Sequence, residues 1–238
     1  MTIKYVITGL VNGGSIVTTY WFFMPLYAAY LAIPLFSAVE KEKRKSVYVY
    51  ISVVGFLLNV LIPFAAKFTD WVPYNPGFRL FVNMSYLFYV VVGWLLHTQE
   101  IKRKDRIVIY ILAILGLFTN MIGTYFLSMR DGTVNKTFNG YNDVPCILYA
   151  IGVFVLIKQI APKIMDVKWI RAIVVYLNKY TFGVYLLHWS VLKAVIRLTR
   201  VNEVSLIWRL LSPIGIVAVC VAIIWVIRKI PVLKHVVP

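Results

Sequence analysis

Seven apolar runs of about 20 residues, separated by short basic or polar segments, constrain this chain more than any other feature. They are Thr18–Val39, Ser46–Ala66, Arg79–Thr98, Arg106–Ser128, Asp143–Ile160, Tyr176–Leu198 and Val204–Ile227. A helix of ~20 residues rises ~30 Å, the thickness of a bilayer's hydrocarbon core. In that medium every backbone N–H and C=O must find a partner within the protein, and a helix provides one along its own length. The expected fold class is therefore all-α, a polytopic transmembrane helical bundle with about seven spans. One membrane domain is expected over all 238 residues. Only 14% of residues are charged, against ~25% in soluble domains.

The net charge of +16 would suggest nucleic acid in a soluble protein. Here the cations fall in clusters between apolar runs, which topology and anionic lipid headgroups explain, so the bilayer is the expected partner and nucleic acid is not. Of the 25 Lys and Arg residues, 16 lie on one set of segments, including Lys41, Lys43, Arg44, Lys45, Lys102, Arg103, Lys104, Arg106 and Lys158. The other nine lie on the opposite set. The positive-inside rule then expects the N-terminus outside and the C-terminus in the cytoplasm. The stretch through Asn12-Gly13-Gly14-Ser15 reads as a loop entering the first span, with no signal-peptide cleavage site. Cys146 and Cys220 sit inside apolar runs, with neither a disulfide framework nor metal-ligand spacing, and read as packing residues; no metal is expected.

Polar residues inside the runs are few. In the sixth, Asn178, Thr181, Tyr185 and His188 recur at spacings of three, four and three, which stacks them on one helix face. Counted from Tyr176, His188 lies ~18 Å along the helix, past the middle of the core. A histidine at that depth is a functional candidate: it can exchange a proton or hydrogen-bond a substrate hydroxyl. The alternative is an interhelical hydrogen bond. His97 and His235, at a span end and in the basic tail, read as solvated or snorkelling. Asn59, Asn83, Thr119 and Asn120 read as interhelical glue, and Pro25, Pro34, Pro63 and Pro213 as helix bends. No Asp or Glu occupies the middle of a run, which weakens a proton-coupled transporter reading. The expected outer loops, TDWVPYNPGF over 69–78 and RDGTVNKTFNGYND over 130–143, combine aromatic rings with amides and carboxylates. They fit either a sugar-binding surface or an interfacial aromatic belt.

The stretch Lys179–His188, KYTFGVYLLH, resembles a signature of the membrane-bound acyltransferase family 3, with Thr181 where Ser is usual and Val184 where Ile is usual. Tyr20–Phe36, which contains Trp21, is similar to that family's Trp-Phe-Leu helix, and Phe88–His97 to its segment where an aromatic run meets Gly before a basic loop. The resemblance covers nearly the whole chain. It implies an integral enzyme of the bacterial plasma membrane that moves an acetyl or other acyl group from acyl-CoA to a hydroxyl of a cell-surface or exported glycan. Acyl-CoA is then a donor substrate, with no bound cofactor. The family has about ten helices, with its general-base histidine and an arginine-rich motif in the first three. Neither motif is found here, so the resemblance implies an N-terminally shortened chain or a misplaced start. It leaves the catalytic base unassigned and makes His188, Tyr185, Thr181, Asn178 and Trp21 substrate-pocket candidates. The alternative is a transporter or flippase component for glycan or lipid-linked precursors.

Overall fold

The computed structural model describes residues 21–69, 72, 75, 77–80 and 86–230. The loop at Asn12–Ser15, half of the 69–78 loop, Asn83 and His235 lie outside them. Eight helices form among the described residues, with no strand. They are α1 Phe23–Ser37, α2 Lys41–Ala65, α3 Leu87–Thr98, α4 Arg103–Asp131, α5 Val144–Met165, α6 Lys168–Asn178, α7 Thr181–Thr199 and α8 Leu206–Lys229.

Helices α2, α4, α5 and α8 are each long and apolar enough to cross a membrane, so the chain is a polytopic all-α membrane protein. The count of seven spans is only approximate. Helices α1 and α3 are shorter apolar helices; the run of α1 begins before the described residues, and residues 81–85 in the run of α3 lie outside them. Helix α7 has 19 residues, ~28 Å of rise, but is interrupted by His188, Lys193 and Arg197 and is not among the four. Between 6% and 28% of the most apolar window of each long span is buried within the protein. On α4, Ile107, Ile114, Phe118 and Ile122 all face outward. Such an apolar surface is far larger than water tolerates, and hydrocarbon is its natural solvent.

The described residues divide into two compact units, Trp21–Ala161 and Pro162–Ile230. In the N-terminal unit α3 packs on α1 and α2, and its core joins Val60, Phe88 and Ile147, with Phe56, Tyr89, Val92 and Ile151 around them. Helix α2 contains a π turn at Leu57–Leu61, just before Pro63. Proline at 63 has no N–H to offer the carbonyl four residues back, and the wider turn absorbs the mismatch. Asn59 lies in that turn. Its side chain donates to the Leu80 carbonyl and accepts from the Leu80 N–H, both at 2.9 Å. Asn120 likewise donates to the Phe138 carbonyl at 2.7 Å. Both asparagines therefore hold non-helical backbone, a task the sequence reading did not assign them.

Helices α4 and α5 approach closely through Gly116 and Gly152. A methyl at Gly116 would lie 2.7 Å from the Pro145 carbonyl oxygen, and one at Gly152 would collide with the Ala113 methyl. Small residues at such crossings let membrane helices gain dispersion contacts in the absence of a hydrophobic drive.

The C-terminal unit contains α6, α7 and α8. Tyr180, Val184, Leu187, Val191 and Val195 form one seam of α7. They pack on Ile216, Cys220, Ile224 and Ile227 of α8. Helix α7 ends on Arg200 in the left-handed conformation (φ 49°), whose N–H caps the Ile196 carbonyl at 2.9 Å.

The crowding at Gly116 predicts that Gly116→Leu forces α4 and α5 apart. The expected loss is about 1–3 kcal/mol in detergent unfolding, as for overpacked cores, while Gly93→Ala, where the added methyl meets nothing within 4 Å, should leave stability unchanged.

Candidate functional site

The sequence stripe from Asn178 to His188 is divided by a helix break. Asn178 is the last residue of α6, Lys179 and Tyr180 turn the chain, and α7 starts at Thr181. The sequence expectation of one helix from Tyr176 is thus corrected, because Tyr176–Asn178 belong to a separate, strongly amphipathic helix. Thr181, Tyr185 and His188 remain stacked on α7, and Asn178 does not continue their face. The break also makes His188 shallower. It lies seven residues past Thr181, ~10 Å along α7 and short of its middle, not ~18 Å.

On α7 this polar face sits one residue ahead of the seam packed on α8, about 100° around the helix, so it flanks the helix contact without being consumed by it. Tyr185 and His188 are half-buried and Thr181 is exposed. Their rings lie 5.9 Å apart and tilted by 35°. The Nδ1 of His188 is 2.6 Å from the Tyr185 carbonyl oxygen and 3.2 Å from that of Val184. A carbonyl only accepts, so Nδ1 must carry the proton, and in the neutral ring Nε2 then holds the lone pair. Fixed by its own helix, the ring presents a hydrogen-bond acceptor that a substrate hydroxyl can meet. Trp189 and Lys193 follow on α7, with the Lys193 ammonium 4.9 Å from the Trp189 ring centre.

Trp21 belongs to the N-terminal unit, where three distant segments meet. Its indole stacks on Tyr141 at 5.3 Å with 21° between planes, and tilts against Tyr86 at 5.6 Å. The Tyr89 hydroxyl donates to the Tyr141 carbonyl. Trp21 and Tyr141 remain 39% and 59% exposed, so the cluster keeps open aromatic surface. Beside it the 132–143 segment is tied down by polar contacts. Lys67 pairs with Asp143 at 2.6 Å and donates to the Thr137 carbonyl at 3.2 Å, and Asp143 accepts from the Gly140 N–H at 3.0 Å. Of the expected outer loops, this one is an ordered aromatic and polar surface.

The opposite ends of these helices carry cations with defined work. Arg44 donates to the carbonyls of Ser37 and Val39 beyond α1, both at 2.9 Å. Lys158 donates to those of Leu96, His97 and Gln99 at 2.6, 2.9 and 2.9 Å. Arg106 joins the Gln159 side chain at 2.9 Å. Arg44 also lines a cavity of about 200 Å³ with Ser37, Tyr48 and Trp94. Sequence reading assigned these cations to the membrane surface alone. Lys158 reaches from α5 to the end of α3, a pairing that no local pattern announces. Helix α6 had a visible signal, with Trp169, Ile170, Ile173, Val174 and Leu177 recurring at helical spacing between cationic residues.

Fold and residues define a polytopic membrane protein with a histidine-bearing polar face and an aromatic cluster. A family model described as an acyltransferase domain, that of acyltransferase family 3, matches residues 2–228. The chain belongs to that family, and the match spans both compact units. No curated protein and no solved structure matched it.

The carbonyl contacts of His188 predict its tautomer. Nitrogen-15 NMR of histidine-labelled protein should show neutral His188 protonated at Nδ1, with the deprotonated shift at Nε2. A ring protonated at Nε2 would show that the backbone contacts do not hold it.

Proposed function

We propose that this membrane acyltransferase moves an acyl group, acetyl or a close relative, from acyl-CoA to a hydroxyl of a cell-surface or exported glycan. In the reaction the acceptor hydroxyl oxygen bonds to the thioester carbonyl carbon. The carbon–sulfur bond breaks, and CoA departs as the thiol with the proton that the hydroxyl gives up. The reading is carried by the family match over residues 2–228 in a chain whose long helices suit a bilayer.

Within that reaction His188 is a positioning residue. Its Nε2 accepts from the acceptor hydroxyl, orienting the oxygen for attack, and Thr181 and Tyr185 line the same wall. Trp21 with Tyr86 and Tyr141 gives a flat aromatic face for a sugar ring, beside the polar 132–143 segment. Asn178, on α6, lies at the mouth of the α6–α7 turn. The catalytic base is not assigned to a residue of this chain.

The cationic ends of α2 and α4 support an N-out, C-in arrangement in a bacterial plasma membrane. CoA carries several phosphates, and that arrangement puts the donor on the side where Lys41–Lys45 and Lys102–Arg106 lie.

Deleting the coding sequence of this chain, then restoring it on a plasmid, tests the proposal. The expected outcome is a surface glycan of unchanged amount that loses its base-labile acyl esters by mass spectrometry and regains them on complementation. A glycan that keeps all its esters would contradict acyl transfer. Loss of the glycan itself from the surface would favour the transporter reading.

A further inference from the structure

Helix α8 has two apolar faces. Ile216, Cys220 and Ile224 pack on α7 with Val221 beside them, and Ile214, Val217, Ala218, Ala222 and Trp225 continue from Val221 as a second stripe at helical spacing. That second stripe, with Tyr176 and Leu177 of α6, lines a groove of about 550 Å³. The groove runs eleven residues along α8, ~17 Å of a membrane-spanning helix. No carboxylate lines it.

One end of the groove is chemically different from the rest. The Lys229 ammonium sits 3.5 Å from the centre of the Trp225 ring, and the Arg228 guanidinium lies 4.8 Å from the centre of the Tyr180 ring while donating to the Lys179 carbonyl at 2.7 Å. The Tyr180 hydroxyl donates to that of Tyr176 at 3.1 Å, which leaves the Tyr176 proton to point onward. Aromatic rings, hydroxyl donors and cations at the mouth of an apolar channel match an amphiphile with a negative head and a hydrocarbon tail.

We propose that the α6–α8 groove is a binding site for one anionic phospholipid, with an acyl chain along Ile214–Trp225 and the phosphate at the Tyr176 and Lys229 end. The charge argues for this occupant over a protein helix. A helix would fill the apolar stripe and meet Ala218 and Ala222, but it would offer the Lys229 ammonium and the Tyr176 hydroxyl no anion in a medium that penalises bare charge. The amphipathic α6, with Trp169 exposed and Lys168 and Arg171 beside it, is suited to the headgroup plane and forms the groove's upper wall.

Native mass spectrometry of the full chain, released from nanodiscs of equal phosphatidylglycerol and phosphatidylcholine, tests the site. One phosphatidylglycerol should be retained per chain, in clear preference to phosphatidylcholine. Ala222→Trp, which fills the groove, should abolish retention. Lys229→Gln, a surface change that leaves the groove open, should weaken the phosphatidylglycerol preference by about fivefold, the scale of one cation at an anionic surface. Equal retention of the two lipids would overturn the proposal, as would retention unchanged by both substitutions. An Ala222→Cys variant that crosslinks two copies through this face, with no lipid bound, would also overturn it.

Discussion

Backbone polarity inside a membrane is the constraint on which the rest of this structure depends. A helix satisfies its own interior but leaves four carbonyls open at its C-terminal end, and hydrocarbon offers them no water. The chain answers with long cationic side chains. Arg44 serves the end of α1, Lys158 the end of α3, and Arg228 the turn between α6 and α7. Cations favour the negative end of a helix for the same reason. The two membrane asparagines, Asn59 and Asn120, extend the principle to non-helical backbone, and even His188 turns its Nδ1 proton to carbonyls of its own helix. Each of these groups performs a structural task that also decides what remains for function. At His188 the remainder is the Nε2 lone pair.

This explains what the sequence could and could not reveal. Apolar length is a property of consecutive residues, so the four long spans were legible with ends correct to a few positions. The small helix α6 was hidden inside what read as a cytoplasmic loop and the start of a span. Its apolar residues alternate with cations, which lowers mean hydropathy, although the helical period was there to count. Missing that helix extended the sixth span by five residues, placed Asn178 on the His188 face and put His188 too deep. Contacts between distant segments were out of reach. Nothing local tells that Trp21, Tyr86 and Tyr141 gather, or that Lys158 closes α3. The family resemblance, by contrast, rested on a contiguous motif within Lys179–His188, and the family match over residues 2–228 agrees with it.

The two described units carry different kinds of surface. The C-terminal unit holds a fixed imidazole acceptor on α7 and an apolar groove with a cationic mouth on α8. The N-terminal unit holds the aromatic cluster at one end of its helices and a dense set of cations at the other. The proposed donor, with its phosphates, and the proposed acceptor, with its sugar hydroxyls, would call for these kinds of surface. The thioester supplies the driving force for transfer, and what the protein must add is position. A ring tied to its own helix at 2.6 Å costs little further ordering when a hydroxyl arrives.

The central claim is that His188 positions the acceptor hydroxyl within a membrane acyltransferase. Steady-state transfer of labelled acyl groups by membranes containing the protein, wild type against His188→Ala at equal abundance, tests it most directly. The account predicts a fall in kcat/KM for the acceptor of roughly tenfold or more, the scale of a lost hydrogen bond to a half-buried group, with the KM for acyl-CoA unchanged. Unaltered kcat/KM for the acceptor, or a defect confined to acyl-CoA, would contradict it.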